Sequence, residues 1–344
     1  MYGPDEITIK DVAKACGVGV STVSRAINNH PDINEETKNL VMDKIKEIGY
    51  IPNNSARNLK RIDAKSIAVL VKGMNNPFFS DMIKIMEAEI VDRHYSLVMQ
   101  HVDPNEDEVD AALELTKEKR LCGLIFLGGI FSRNEEKIHK LQVPYVLSTV
   151  GCPLENIGRY DYSSVAVDDE KEAYKVTKYL IGKGHKRIAL LAAARGDTSI
   201  GMLRLNGYKR ALSEAGIPFD KNLVRFLPAG FEEYSMENGR LMTEELMRDK
   251  IDFSAIFAIA DVMVVGACKA LLSSGKKIPE DVAVIGFDGI PLTEFYTPAI
   301  STLAQPTEEI AEETVRLLFK ILDGKTIHQH VVFEGRLLER ESTK

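Results

Sequence analysis

Two windows of this chain are free of acidic residues, 12–31 and 48–62. The first holds Ser21, Thr22, Ser24, Arg25 and Asn28, and the second holds Arg57, Lys60 and Arg61. Hydroxyls, an amide and cations without competing carboxylates are groups that a polyanion can approach. The net charge of −7 argues at first against such a partner. That average misleads, because residues 1–61 contain nine Lys/Arg against eight Asp/Glu, which places −8 on the remaining 283 residues. Other chemistry has no visible apparatus: G-x-x-x-x-G-K-[ST], G-x-S-x-G and H-E-x-x-H are all missing from the sequence. Cys16, Cys122, Cys152 and Cys268 lie far apart with no C-x-x-C pair, which fits reduced packing thiols better than a disulfide frame or a metal site. No metal and no cofactor are expected.

The elements that must carry these groups are short. Thr8 is a candidate N-cap with Asp11 three residues on, and Ile9, Val12 and Ala13 give helical apolar spacing up to Gly17. A second helix is expected over 20–28, with Val20, Val23 and Ile27 at helical spacing, and residues 28–31 break it. A third runs from the N-cap Asn34 through Leu40, Val41, Ile45 and Ile48 to Gly49. Residues 53–61 are polar and helix-compatible, but below the ~12–15 residues that an isolated helix needs in water.

From residue 66 the pattern changes to β-rich runs alternating with amphipathic stretches. Strands are expected at 66–71, 96–101, 123–127, 145–147, 164–167, 187–192, 255–258 and 282–287. Helices are expected at 79–94, 106–119, 133–141, 171–183, 203–215, 235–248, 262–274 and 307–322. Such alternation builds parallel sheet with helices on both faces, and eight units exceed one open sheet, so two α/β lobes with a cleft are expected. No run approaches the ~20 apolar residues of a membrane span. Asp5 and Glu6 stand where a signal peptide would be basic and then apolar, so a cytoplasmic location away from any membrane is expected.

The run from Thr8 to Asn29, TIKDVAKACGVGVSTVSRAINN, followed by Gly49-Tyr50-Ile51-Pro52-Asn53, resembles the helix-turn-helix of the LacI/GalR family of bacterial regulators. The likeness continues through NPFF at 76–79, GHKRIALL at 184–191, RLNGYKRAL at 204–212, VIGFDG at 284–289 and YTPAISTLAQP at 296–306. It covers essentially the whole chain. The fold it implies is an N-terminal all-α helix-turn-helix domain plus an α/β, two-lobed, periplasmic-binding-protein-like body with parallel sheets. The implied boundaries are 1–49 for the helix-turn-helix, 50–63 for a hinge-helix linker and 64–344 for the body. Lobe one is expected at about 64–161 and 292–323, lobe two at about 162–291 and 324–344, with crossovers at 160–161, 288–292 and 323–324.

The function implied is a transcriptional repressor that binds double-stranded, pseudo-palindromic operator DNA as a homodimer. In such a unit the second helix enters the major groove. Val20 would then offer apolar contact to a thymine methyl, Ser21 a hydrogen bond to several bases, and Arg25 a bidentate pair to guanine. Thr8, Thr22, Ser24, Asn28 and Asn34 would contact phosphates, with Tyr50 and Asn53 at the end of the unit. Where the family usually has Ser as the second helix's N-cap, this chain has Gly19. Leu59 matches the leucine that the family's hinge helix inserts into the minor groove, between Arg57 and Lys60.

The body implies a small effector, a sugar or sugar derivative. Phe78 and Phe79 would stack from lobe one, Arg204 and Asp288 would hydrogen-bond vicinal hydroxyls from lobe two, and Phe231 would form a wall. Thr149, Asp261 and Gln305 complete the candidate set. Many sugar-responsive relatives carry Asn where this chain has Ala260. Two other readings are open: control by a phosphorylated carrier protein that docks on lobe one in place of a small effector, and a solute-binding protein, which would share the cleft but have no use for residues 1–61. An α/β enzyme acting on sugars or nucleosides is a third.

Overall fold

The structure, a computed structural model, describes residues 7–27, 32–50, 65–103, 106–131, 135–151, 162–195, 199–227 and 234–344. It divides into two units, Met1–Ala64 and Lys65–Lys344.

In the first unit, α1 (Ile9–Cys16), α2 (Val20–Ile27) and α3 (Glu35–Ile48) pack around Val12, Ala13, Val23, Ala26, Val41 and Ile45. Each helix thus buries one narrow apolar stripe and leaves its other residues to solvent. Gly17 ends α1 at φ 66°, a left-handed conformation that needs no Cβ, and its N–H returns to the carbonyls of Ala13 and Lys14. The chain then re-enters a helix three residues later. Asn34 caps α3, its Oδ1 accepting the Thr37 N–H at 2.7 Å.

The second unit opens with β1 (Ser66–Lys72), α4 (Phe78–Asp92), β2 (Ser96–Val102), α5 (Glu108–Glu118), β3 (Leu121–Leu127), α6 (Glu135–Ile138), β4 (Tyr145–Ser148) and β5 (Ser163–Val167). It continues with α7 (Asp169–Gly182), β6 (Ile188–Ala194), α8 (Ile200–Glu214), β7 (Val224–Leu227), α9 (Met236–Arg248), β8 (Ala255–Ala258), α10 (Asp261–Ser273) and β9 (Ala283–Asp288). After α11 (Leu292–Phe295) come β10 (Ser301–Ala304), α12 (Thr307–Leu322), β11 (His330–Phe333) and β12 (Arg336–Leu338).

Two six-stranded sheets result, ordered β11-β5-β4-β3-β1-β2 and β12-β10-β9-β8-β6-β7. Central strands such as β1 are buried along almost their whole length, as covering by helices on both faces requires. All pairings are parallel except the edge pair, where β12 runs antiparallel to β10. The four strands absent from the sequence reading, β7, β10, β11 and β12, span only three or four residues each, too few to display a period.

The sheet order moves the expected lobe boundaries. β5 pairs in parallel with β4 (Val146 opposite Ser163), so 163–167 belong to lobe one rather than lobe two. β10 lies beside β9 in lobe two, whereas α12 packs on α4, β3, β4 and β5 of lobe one. β11 and β12 then enter different sheets. The chain therefore crosses at Asp168, at Gln305 and Pro306, and at Glu334 and Gly335, and not at 160–161, 288–292 or 323–324. The expected positions failed because hydrophobic pattern reports which residues of a strand are buried, not which strand lies alongside.

Candidate nucleic-acid interface and ligand cleft

On α2, Val23 and Ala26 face the core, which leaves Val20, Ser21, Ser24 and Arg25 exposed, Val20 at 42 %. Thr22 is half-buried. An apolar group, two hydroxyls and a guanidinium thus stand on one solvent face of a helix, a set able to meet base edges and phosphates. Gly19, just before α2, offers no side-chain oxygen to its N-terminus, the end at which a helix attracts anions.

The other residues of this set differ in how free they are. The Thr8 N–H and hydroxyl both donate to the Asp11 carboxylate, at 2.9 and 2.6 Å, and the hydroxyl chiefly holds Asp11 below the usual carboxylate range. Thr8 keeps only its acceptor capacity. Asn34 spends its oxygen on the α3 cap and keeps its amide donors. Tyr50 packs against the core of the small unit, so one face of its ring is structural. Asn28, Asn53, Arg57, Leu59 and Lys60 lie outside the described residues.

In the second unit a cavity of about 220 Å³ opens between the lobes. It forms where the strands of both sheets end: Lys72 closes β1, Gly128 and Gly129 follow β3, Thr149 follows β4, Asp288 closes β9 and Gln305 follows β10. Ligands in open α/β sheets gather at such carboxyl ends. Phe78 and Phe79, the first residues of α4, stand with ring centroids 5.2 Å apart.

Arg204 is buried on α8 and held from several sides. Its Nε donates to Asp169 Oδ1 at 2.8 Å, its Nη2 lies 2.8 Å from the same oxygen, and its Nη1 donates to the Ile259 carbonyl. The guanidinium stacks 3.8 Å from the centre of the Phe287 ring, and Asp288 Oδ1 is 3.8 Å from Nη1. Gly207 makes the grip possible: a Cβ there would come within 2.2 Å of the Glu170 carbonyl, so glycine lets α8 lie against α7.

Asp288 sits at φ 123°, a strained conformation that turns its carboxylate inward. Burial pushes its carboxyl up to about 6, against the pull of Arg204 and of the bonds from Gln305 and Asn76. Gln305 Nε2 donates to Oδ1 at 2.9 Å. Asn76 comes from lobe one, where its Oδ1 accepts the Phe78 N–H at 3.1 Å, so it ties the aromatic platform to a lobe-two carboxylate. Lys72 is already paired, with Glu108 at 2.9 Å and the Glu106 carbonyl at 2.8 Å.

Of the candidate effector residues, Phe78, Phe79, Thr149, Arg204, Asp288 and Gln305 line one cavity. Phe231 lies outside the described residues. Asp261 is a correction. It is fully buried, and its oxygens are taken by the N–H groups of Gly289 and Ile290 at 2.7 and 2.9 Å and the Thr302 hydroxyl at 2.7 Å. It shapes the turn after Asp288 instead of facing the cavity, because a buried carboxylate collects the nearest donors. Burial and the nearby Asp288 raise its carboxyl, and those three bonds oppose them. Sequence reasoning missed Asp169, Asn76 and Lys72. The signal available for Asp169 was Arg204 itself, since a buried guanidinium needs a carboxylate.

The match to known proteins follows this division. Residues 8–53 match the family described as bacterial regulatory proteins, lacI family, and residues 177–343 match a periplasmic binding protein-like domain. The HTH-type transcriptional regulator MalR of Clostridium butyricum is 40 % identical over 338 residues, 98 % of this chain and 99 % of that one. The chain belongs to the lacI family of bacterial regulatory proteins. This lacI-family regulator is also 32 % identical to the HTH-type transcriptional regulator DegA of Bacillus subtilis, over 98 % of each chain. Among solved structures, the complex of the transcriptional regulator CelR with cellobiose matches at a TM-score of 0.72 and 30 % identity, over 98 % of this chain and 99 % of that one. As a lacI-family member the chain is a DNA-binding transcriptional regulator, with α1 and α2 as its helix-turn-helix.

Proposed function

We propose that this regulator is a cytoplasmic repressor that binds a pseudo-palindromic operator as a homodimer and is controlled by a carbohydrate held in the cleft. The exposed α2 face carries Val20, Ser21 and Arg25 for bases and Ser24 for phosphates, with the half-buried Thr22 and with Asn34 and Thr8 as further phosphate contacts. The sequence division into residues 1–49, a linker 50–63 and a body fits this role, the linker taking Leu59 to the minor groove and Arg57 and Lys60 to the flanking phosphates. Two-fold symmetry of the operator asks for a two-fold protein.

The single observation that carries the effector reading is the cavity itself. A tilted aromatic pair, a guanidinium and a carboxylate line the same space. Aromatic faces stack on the C–H surface of a sugar ring, and an Arg–Asp pair both donates to and accepts from its hydroxyls. Closing two lobes on such a ligand changes the geometry of the crossovers, which is a route from sugar to operator.

Thermal-shift screening of the full chain against neutral sugars, nucleosides and sugar phosphates tests this reading, because a ligand stabilises the state it binds. A sugar is expected to raise Tm, and Asp288→Asn is expected to abolish that rise. A response to nucleosides alone, or a sugar response unchanged in D288N, overturns the assignment.

A further inference from the structure

The cleft explains why Arg204 and Asp288 are present, but not why the closer carboxylate on Arg204 belongs to Asp169, nor why a second acid is buried behind it. Asp169 is the first residue of α7, directly after the crossover at Asp168. Its Oδ1 takes both guanidinium contacts, and its Oδ2 is buried with no hydrogen-bond partner among the described residues. One turn on, Glu172 is fully buried; its Oε1 accepts from Lys175 at 2.8 Å, while Oε2 likewise has none. That second oxygen lies against Gly335, where a Cβ would come within 3.2 Å of it.

These acids adjoin two of the three places where the chain passes between lobes and reach the other through Arg204. Asp169 follows the first crossover, and Gln305 in the second bonds Asp288, which lies 3.8 Å from the guanidinium that Asp169 grips. Glu172 abuts the third, and its neighbour Lys171 bonds Glu334 there at 2.5 Å. Two buried carboxylates three residues apart repel each other, and each leaves an acceptor unsatisfied. A second arrangement of the crossovers that relieved this repulsion or satisfied either oxygen would gain by it, and two such arrangements are what a two-state element requires.

We propose that Asp169 and Glu172 are positioning residues that pass occupancy of the cleft to the crossovers, Asp169 by holding Arg204 and Glu172 by bearing on Gly335. This rests on the cleft being the effector site. Effector bonds to Arg204 and Asp288 pull on Asp169, Asp169 moves the start of α7, and Glu172 moves against the third crossover. The local instability is kept because it makes the crossovers responsive.

The test uses the full chain, a fluorescent duplex that it selects from a random library, and three probes: cellobiose, maltose and glucose. For wild type, E172Q and D169N, three quantities are measured: Tm without sugar, Kd for the sugar, and the change in duplex affinity that sugar produces. Glutamine keeps the shape of Glu172 and supplies a donor, so E172Q is expected to raise Tm by about 2 °C or more. Its Kd for sugar should change less than about threefold, and its sugar-induced change in duplex affinity should fall at least about fivefold. D169N should weaken both sugar binding and the response. An E172Q response equal to wild type overturns the proposal while the effector reading stands. Parallel loss of Tm and sugar affinity in E172Q also overturns it, since that is a merely structural role. If no probe changes wild-type duplex affinity while one of them raises Tm, the cleft reading stands and the proposed transmission fails. If none does either, the effector reading fails and the proposal goes with it.

Discussion

The small unit and the body handle their functional side chains in opposite ways. On α2 the reading residues are exposed and come from eight consecutive positions, because the partner is meant to be outside. In the cleft, Arg204, Asp169 and Asp288 are buried, come from positions up to 119 residues apart by their numbering, and are bonded to one another before any ligand arrives. A surface that reads a large polyanion gains by leaving its donors free, whereas a pocket for a small neutral molecule must satisfy its own charges first. Losing a functional residue should therefore cost recognition in one unit and stability in the other.

The largest expected effect is that of Arg204→Ala. It leaves Asp169 and Asp288 buried without their cation, and breaking such a pair from one side costs about 3–5 kcal/mol. Urea unfolding followed by a probe in the body should show that loss, while the small unit's transition stays where it was. A body whose midpoint barely moves would mean that the cleft is hydrated and built more like α2 than the contrast allows.

Arg25→Ala comes next and should act in the other currency. Removing a bidentate contact to guanine is expected to cost about 1–3 kcal/mol of discrimination. Affinity for unrelated duplex should change little, and Tm should not change at all, since Arg25 is exposed and supports no core contact. Equal loss on selected and unrelated duplex would make Arg25 a phosphate contact instead.

The same contrast decides what the sequence disclosed. The helix-turn-helix was legible because its signals are local: the Thr8 and Asn34 caps, the Gly17 turn and the spacing of Val20, Val23 and Ile27 all act within one or two helical turns. The alternation of the body was legible too, down to most element ends. What was not legible is whatever depends on pairing across the chain. Nothing near residue 163 says that its strand joins β4, and nothing near residue 204 says that Asp169, 35 residues earlier, will hold the guanidinium. Asp261, which the resemblance implied for the cleft, misled for a related reason: the N–H groups of Gly289 and Ile290, 28 and 29 residues on, claim it first.

The two units should also part company on pH. Burial raises Asp288 to about 6, well above its unfolded value, so the folded body takes up a proton that the unfolded chain does not. Its contribution to stability is therefore present in acid and is lost as pH rises from about 4 through about 6. Effector affinity should run the other way, falling below pH 6 as Asp288 loses the charge that accepts hydroxyls. Calorimetric titration of a sugar between pH 5 and 8 should show this step, and an affinity that stays level across pH 6 would show that the Asp288 charge does not serve the sugar. Asp11 in the small unit is shifted down instead, chiefly by the Thr8 hydroxyl, so it remains charged throughout that range.

The smallest effect sharpens the comparison most finely, because Asn34 belongs to both categories at once. Its oxygen caps α3 through the Thr37 N–H, and its amide donors remain available to a phosphate. Asn34→Ala should cost the small unit about 1 kcal/mol through the lost cap and should also weaken binding to every duplex alike. Asn34→Asp separates the two roles: the carboxylate keeps the cap and favours the helix N-terminus, yet repels phosphate. Aspartate should restore the Tm lost in the alanine variant and bind duplex less well than alanine does, most visibly at low salt. If instead both variants bind duplex as wild type does, Asn34 serves the fold alone.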